Sequence, residues 1–187
     1  MFSGGPPNQY HFSLYSRWAR GGWGMVITGN FQISSAHLSL GRDVTFPSLP
    51  SSRDVEAFKA LSVAMHSSCS PKGTDGPLAI IQLSHAGRQS PRFIGGRLGT
   101  LQQPLSPSSR RVGDDTRGGF LTNLTNLILF QKPRVISRKQ IGDVVDAFVL
   151  AAKLTYEAGF DGVQVHAAHG CGFGVSLWCK RHSNFLG

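Results

Sequence analysis

The sequence is poor in the residues that staple small secreted or metal-bound folds. Only three cysteines, Cys69, Cys171 and Cys179, stand among 187 residues. They form no CxxC and leave an odd count, so neither a disulfide framework nor a zinc ribbon is indicated, and a reducing compartment suits them. No run of about 18 apolar residues occurs, and the opening MFSGGPPNQYHF lacks a basic segment leading into an apolar core. These absences predict a soluble, unsecreted, cytoplasmic chain with no membrane partner. The sequon Asn123-Leu-Thr125 would then never meet the enzyme that reads it. Acidic residues are also scarce, ten against 19 Lys and Arg, giving a formal net charge of +9. The basic residues are scattered, with pairs such as Arg110-Arg111 and Lys180-Arg181 but no long run, so no nucleic-acid partner is expected. Phosphate loops are missing too. Gly21, Gly22 and Gly24 precede an apolar strand instead of opening a helix, and no GxGxxG or GxxxxGK[ST] follows any strand.

What the chain does have is a 40% hydrophobic content, enough for one real core. Tyr10, Leu14 and Trp18 keep helical spacing before Gly21-Gly22, and a short strand, Met25 to Thr28, follows until Gly29-Asn30 breaks it. A Ser-, Gly- and Pro-rich stretch then reads as a surface loop. Asp54 to His66 predicts a helix with Val55, Phe58, Leu61 and Met65 on one face, and Leu78 to Leu83 (LAIIQL) a strand apolar on both sides, as in a covered parallel sheet. Between Ser84 and Lys132 only FLTNLTNLILF stands out, as strand, short helix or loop. Ser137 and Gln140 form a capping-box pattern ahead of Ile141, Val144, Val145, Phe148, Ala152 and Thr155. Gly159 ends that helix, and a third strand runs from Gly162 to Val165.

Helix and strand thus alternate three times, with crossovers long enough for parallel pairing. The fold class is α/β, and two architectures fit: an open doubly wound sheet or part of a (β/α)8 barrel. In both, chemistry gathers beyond the carboxyl ends of the strands, where this chain places Thr28, Gly29 and Asn30, then Gln82, His85 and Arg88, then Gln164, His166 and His169. The two histidines admit three readings: metal ligands with Cys171 or Cys179, packed structural residues, or imidazoles that grip an oxygen gaining negative charge. The spacing H-x-x-H-x-C-x7-C matches no zinc pattern, and no metal site is assigned. Gln82 offers a donor and an acceptor together, which suits a ring with alternating NH and C=O groups, although a backbone-bonded structural amide is the plain alternative.

Three segments, GGWGMVITGN (Gly21 to Asn30), IIQLSHAGRQSP (Ile81 to Pro91) and FDGVQVHAAHG (Phe160 to Gly170), resemble the old yellow enzyme family of FMN-dependent NADH:flavin oxidoreductases in order and separation. The resemblance implies a (β/α)8 TIM barrel holding FMN. Reduced nicotinamide, NAD(P)H, would give a hydride to the flavin, which passes it to an activated alkene such as a small-molecule enone. By motif, Gln82 matches the glutamine on the flavin ring and Gly29 the small residue beside it. His166 and His169 match the pair that holds the substrate's carbonyl oxygen. The family's proton-donating tyrosine is replaced by Cys171, which leaves that role unassigned.

A complete barrel needs about 250 residues, and only about three βα units are present. The expectation is therefore a partial barrel over residues 1–170 and a divergent tail over residues 171–187, with an unmatched insertion from Asp114 to Phe130. Exposed sheet edges would favour self-association. Three rival functions follow: a catalytically inactive fragment that binds or assembles with a partner, a metal-binding module, and a basic nucleic-acid binder.

Overall fold

The computed structural model describes residues 4–67, 76–97, 102–114 and 119–168. Three parallel strands in the order β1-β2-β5 make the main sheet: β1 is Met25–Gln32, β2 is Leu78–Ser84 and β5 is Gly162–Val165. α1 (Gln9–Ala19) precedes β1, α2 (Ser52–Met65) crosses from β1 to β2, and α4 (Arg138–Glu157) delivers the chain to β5. A separate parallel pair, β3 (Leu105–Ser106) with β4 (Arg134–Val135), flanks α3 (Phe120–Leu129) in sequence. The run left open as strand, helix or loop is thus a helix.

Local chemistry sets the helix boundaries. Ser51 accepts from the Asp54 backbone while the Asp54 side chain answers to the Ser51 backbone, and Ser137 and Gln140 make the same reciprocal pair ahead of α4. After α4 the chain must reverse within a few residues, and Gly159 adopts φ +81°, a conformation that a side chain would strain. Asp161 then fastens the start of β5, accepting from the Ala79 backbone at 2.7 Å and pairing with His66 Nε2 at 2.8 Å. Ser62 Oγ donates to the Gly159 carbonyl at 2.7 Å, so α2, β2 and β5 meet at one end of the sheet.

The core lies between the sheet and its helices. Val26, Ala79, Ile81 and Leu83 point toward Phe58, Leu61 and Met65 of α2 and Phe148, Ala151 and Leu154 of α4. Phe58 stacks on Phe46 with centroids 4.6 Å apart, and Phe31 meets both rings edge-on or tilted. α1 buries Tyr15 and Ala19, whereas Tyr10, Leu14 and Trp18, the apolar series at helical spacing, are exposed. The sheet's other face is open: Met25 and Leu78, register partners, are 48% and 47% exposed.

β1 runs four residues past its expected end. Thr28 and Gly29 do not break it; they form a bulge, since Ile27 pairs with Ile80 but Asn30 pairs with Gln82. Thr28 Oγ1 takes the place of the missing ladder acceptor, receiving the Gln82 N–H at 3.0 Å, and donates onward to the Gly29 carbonyl at 2.9 Å.

Candidate active site

The sheet brings three of the four expected site residues to one end of its open face. Gln82, near the carboxyl end of β2, is paired in register with Gln164 of β5, and its Nε2 donates to Gln164 Oε1 at 2.6 Å. His166 follows β5 directly; its backbone N–H donates to the Leu83 carbonyl at 2.8 Å, extending the ladder by one residue, and its side chain is half-buried. Gly29 sits in the bulge of the neighbouring strand. His169 lies outside the described residues, as do Cys69, Cys171 and Cys179. Among the described residues no three His, Cys, Asp or Glu side chains come together.

Nothing inside the protein requires a glycine at position 29. Its φ lies outside the left-handed range, and a Cβ built there would meet only the Tyr15 hydroxyl, at an ordinary 3.8 Å. The bare backbone therefore faces open space on the exposed side, with the Gln82 carboxamide on the adjacent strand and that of Gln164 one strand further, each with a donor or acceptor left unspent by their mutual bond. A flat ring edged with NH and C=O groups fits that set: the glycine removes the side chain that would lift it, and the amides can match its edge.

Two supports of this end were not foreseen. Tyr15, buried on α1, accepts the Gly29 N–H at 2.8 Å, and burial pushes its phenol pKa up. Thr28 fixes the bulge as described. Tyr15→Phe should leave the Gly29 N–H without its acceptor and cost about 1 kcal/mol. Urea denaturation measures it, and an unchanged midpoint would mean that this bond does not hold the strand. Spacing alone carried no signal for either contact, since each joins residues from different elements.

His85, grouped by sequence with the site, goes elsewhere. It is 3% exposed and packs against His37, with ring centroids 4.5 Å apart. Burial lowers its pKa to about 4; burial, His85 and Arg97 together lower that of His37 to about 3. Both are neutral core groups. Arg88 occupies a 3-10 turn, Gly87–Gln89, and is half-buried.

Parallel βα units with polar groups at the strands' carboxyl ends fit a portion of a (β/α)8 barrel. Solved structures agree: morphinone reductase aligns at TM-score 0.65 and 23% identity over 89% of this chain and 41% of its own. The old yellow enzyme homologue from Zymomonas mobilis aligns at TM-score 0.62 and 26% identity, again over 89% and 41%. The chain belongs to the NADH:flavin oxidoreductase / NADH oxidase family, whose pattern matches residues 3–173. It is 38% identical to the NADH-dependent flavin oxidoreductase iliE of Neonectria sp. (strain DH2) over 88% of this chain and 20% of that protein. To the protein of the same name from Hypocrea jecorina (strain QM6a) it is 36% identical over 90% and 40%. The chain thus spans less than half the length of the relatives it matches. No helix among the described residues is long and apolar enough to cross a membrane.

Proposed function

We propose that the chain supplies the flavin-ring and substrate-oxygen side of an FMN-dependent oxidoreductase of the old yellow enzyme type, acting on a small enone-type molecule with NAD(P)H as hydride source. The observation that carries this reading is the Gln82–Gln164 amide pair beside the bare backbone of Gly29. FMN, when bound, supplies the hydride that reaches the β-carbon of the activated alkene. Gln82 and Gly29 hold and level the ring. His166 and His169 donate hydrogen bonds to the substrate's carbonyl oxygen, which gains charge as the alkene is reduced. Donors placed there favour the transition state over the ground state. On this reading residues 1–170 are the barrel portion and residues 171–187 a tail outside it.

A second reading is a catalytically inactive barrel portion that works through association. It is favoured by the open sheet face, where Met25, Ile27 and Leu78 are 48%, 37% and 47% exposed, and by the outer edge of β5, which pairs with no strand among the described residues. One experiment separates the two: purified protein is incubated with FMN, gel-filtered, and scanned in the visible beside Gln82→Ala. Retained flavin absorbance, with affinity about tenfold weaker in the variant, is expected if Gln82 bonds the ring. A colourless but folded unsubstituted protein would end the flavin reading for this chain.

A further inference from the structure

α3 shows its wrong side to the solvent. Helical geometry puts Phe120, Leu121, Leu124, Leu127 and Ile128 on one continuous arc, and all five are exposed, from 41% at Leu124 to 83% at Phe120. The side turned toward the protein is polar. Asn126 is the one half-buried residue of the helix, and with Asn123 and the rim residue Leu127 it lines a cleft of about 300 Å³ against the turn Arg111 to Asp114. The helix itself contains no charged residue.

The chain just beyond the helix carries charge of one sign, while Asp114 lies in the turn that faces its polar side. The sequence has no Asp or Glu from Thr116 through Gly142, while Lys132, Arg134, Arg138 and Lys139 follow the helix and are exposed. Of these, Lys139 pairs with Asp143 at 3.4 Å. An apolar stripe followed in the chain by exposed cations, in a protein of net charge +9, selects against a second copy, because docking two such chains brings like charges together. It matches a surface that is apolar beneath and anionic on top.

We propose that α3 is a surface anchor that lays its apolar arc in the interfacial layer of an anionic lipid bilayer, with the neighbouring Lys and Arg side chains on the headgroups. At about 1.5 Å per residue the helix is roughly 15 Å long, half the thickness of a bilayer's hydrocarbon core, so it lies in the surface and does not cross it. The expectation of no membrane partner rested on the absence of a long apolar run, which a helix lying in the interface does not need. The uncharged helix carries no ion into the layer, and Lys132 and Arg134 reach headgroups from just beyond its end.

The test is cosedimentation of the full chain with vesicles of phosphatidylcholine alone and of phosphatidylcholine mixed with phosphatidylserine. Binding is expected to the mixed vesicles only, to weaken with salt, and to fall at least about tenfold in both Leu124→Asp/Ile128→Asp and Lys132→Glu/Arg134→Glu. The substituted positions are exposed, and far-UV circular dichroism of each variant confirms that the helix content is kept. Absence of binding to either vesicle overturns the proposal, as does binding that the leucine and isoleucine changes leave untouched. A dimer that Leu124→Asp/Ile128→Asp converts to monomer, with no vesicle binding, overturns it in favour of a second copy.

Discussion

Between about pH 8 and pH 5 the protein is expected to lose about 4 kcal/mol of folding stability through two histidines alone, about 2 kcal/mol from each. In the unfolded chain His37 and His85 titrate near 6.5 and are charged at pH 5; in the fold they stay neutral down to about 3 and about 4. Burial is the first cause for both, and for His37 the neighbouring His85 and Arg97 add to it. The unfolded state therefore binds more protons as the pH falls below 6.5, and stability present above that value drains away on the way down to about 4. The window is set by a folded pKa that is depressed, so acid destabilises. Arg97 reinforces the neutral state from close by: its guanidinium bonds the carbonyls of Ala36, Ser90, Pro91 and Gln102 around the same loops. Urea midpoints across this range measure the effect, and replacing both histidines with glutamine should flatten the profile. A flat profile for the unsubstituted protein would show that the pair is solvated.

Phe58→Ala should cost about 3–5 kcal/mol, a large share of the roughly 5–15 kcal/mol that holds an ordinary domain folded. The ring is fully buried on α2, stacks on Phe46 and meets Phe31 edge-on. It joins the α2 layer to the loop after β1, so its loss leaves a cavity between elements that cannot close without moving the helix. Val63→Ala on the same helix, at a position 72% exposed, should change stability by less than about 0.5 kcal/mol. Equal effects from the two substitutions would mean that α2 does not pack as described.

Those two elements show what a sequence can and cannot disclose. α2, α4, β2 and β5 were legible because their signals are local: the capping box at Ser137, helical spacing of Phe58, Leu61 and Met65, and short apolar runs bounded by turns, although the Ser51 cap that opens α2 went unread. The parallel arrangement followed from the crossovers, and Gln82 and His166 fell at the carboxyl end as the order of elements required. α1 misled, because Tyr10, Leu14 and Trp18 have the right spacing, yet the helix turns Tyr15 and Ala19 inward to meet β1. Nothing local distinguishes those two faces. The His37–His85 pair and the Gln82–Gln164 contact depend on loops and strand register that join distant segments. His169, matched to the substrate-gripping pair by motif, lies outside the described residues, so the expected partnership with His166 stays a proposal.

The bulge at Thr28 and Gly29 changes the parity of β1. Before it the odd-numbered Met25 and Ile27 lie on the open face; after it the even-numbered Asn30 does, opposite Gln82, while Phe31 drops into the core beside Leu83. Removing a single residue at this point would restore a regular ladder with one of two results. Either the second half of the strand keeps its pairing and the first half turns Met25 and Ile27 into the helices, or the reverse happens and Phe31 is driven out of the aromatic cluster. The strand therefore tolerates substitution at Gly29 far better than it tolerates a change in length.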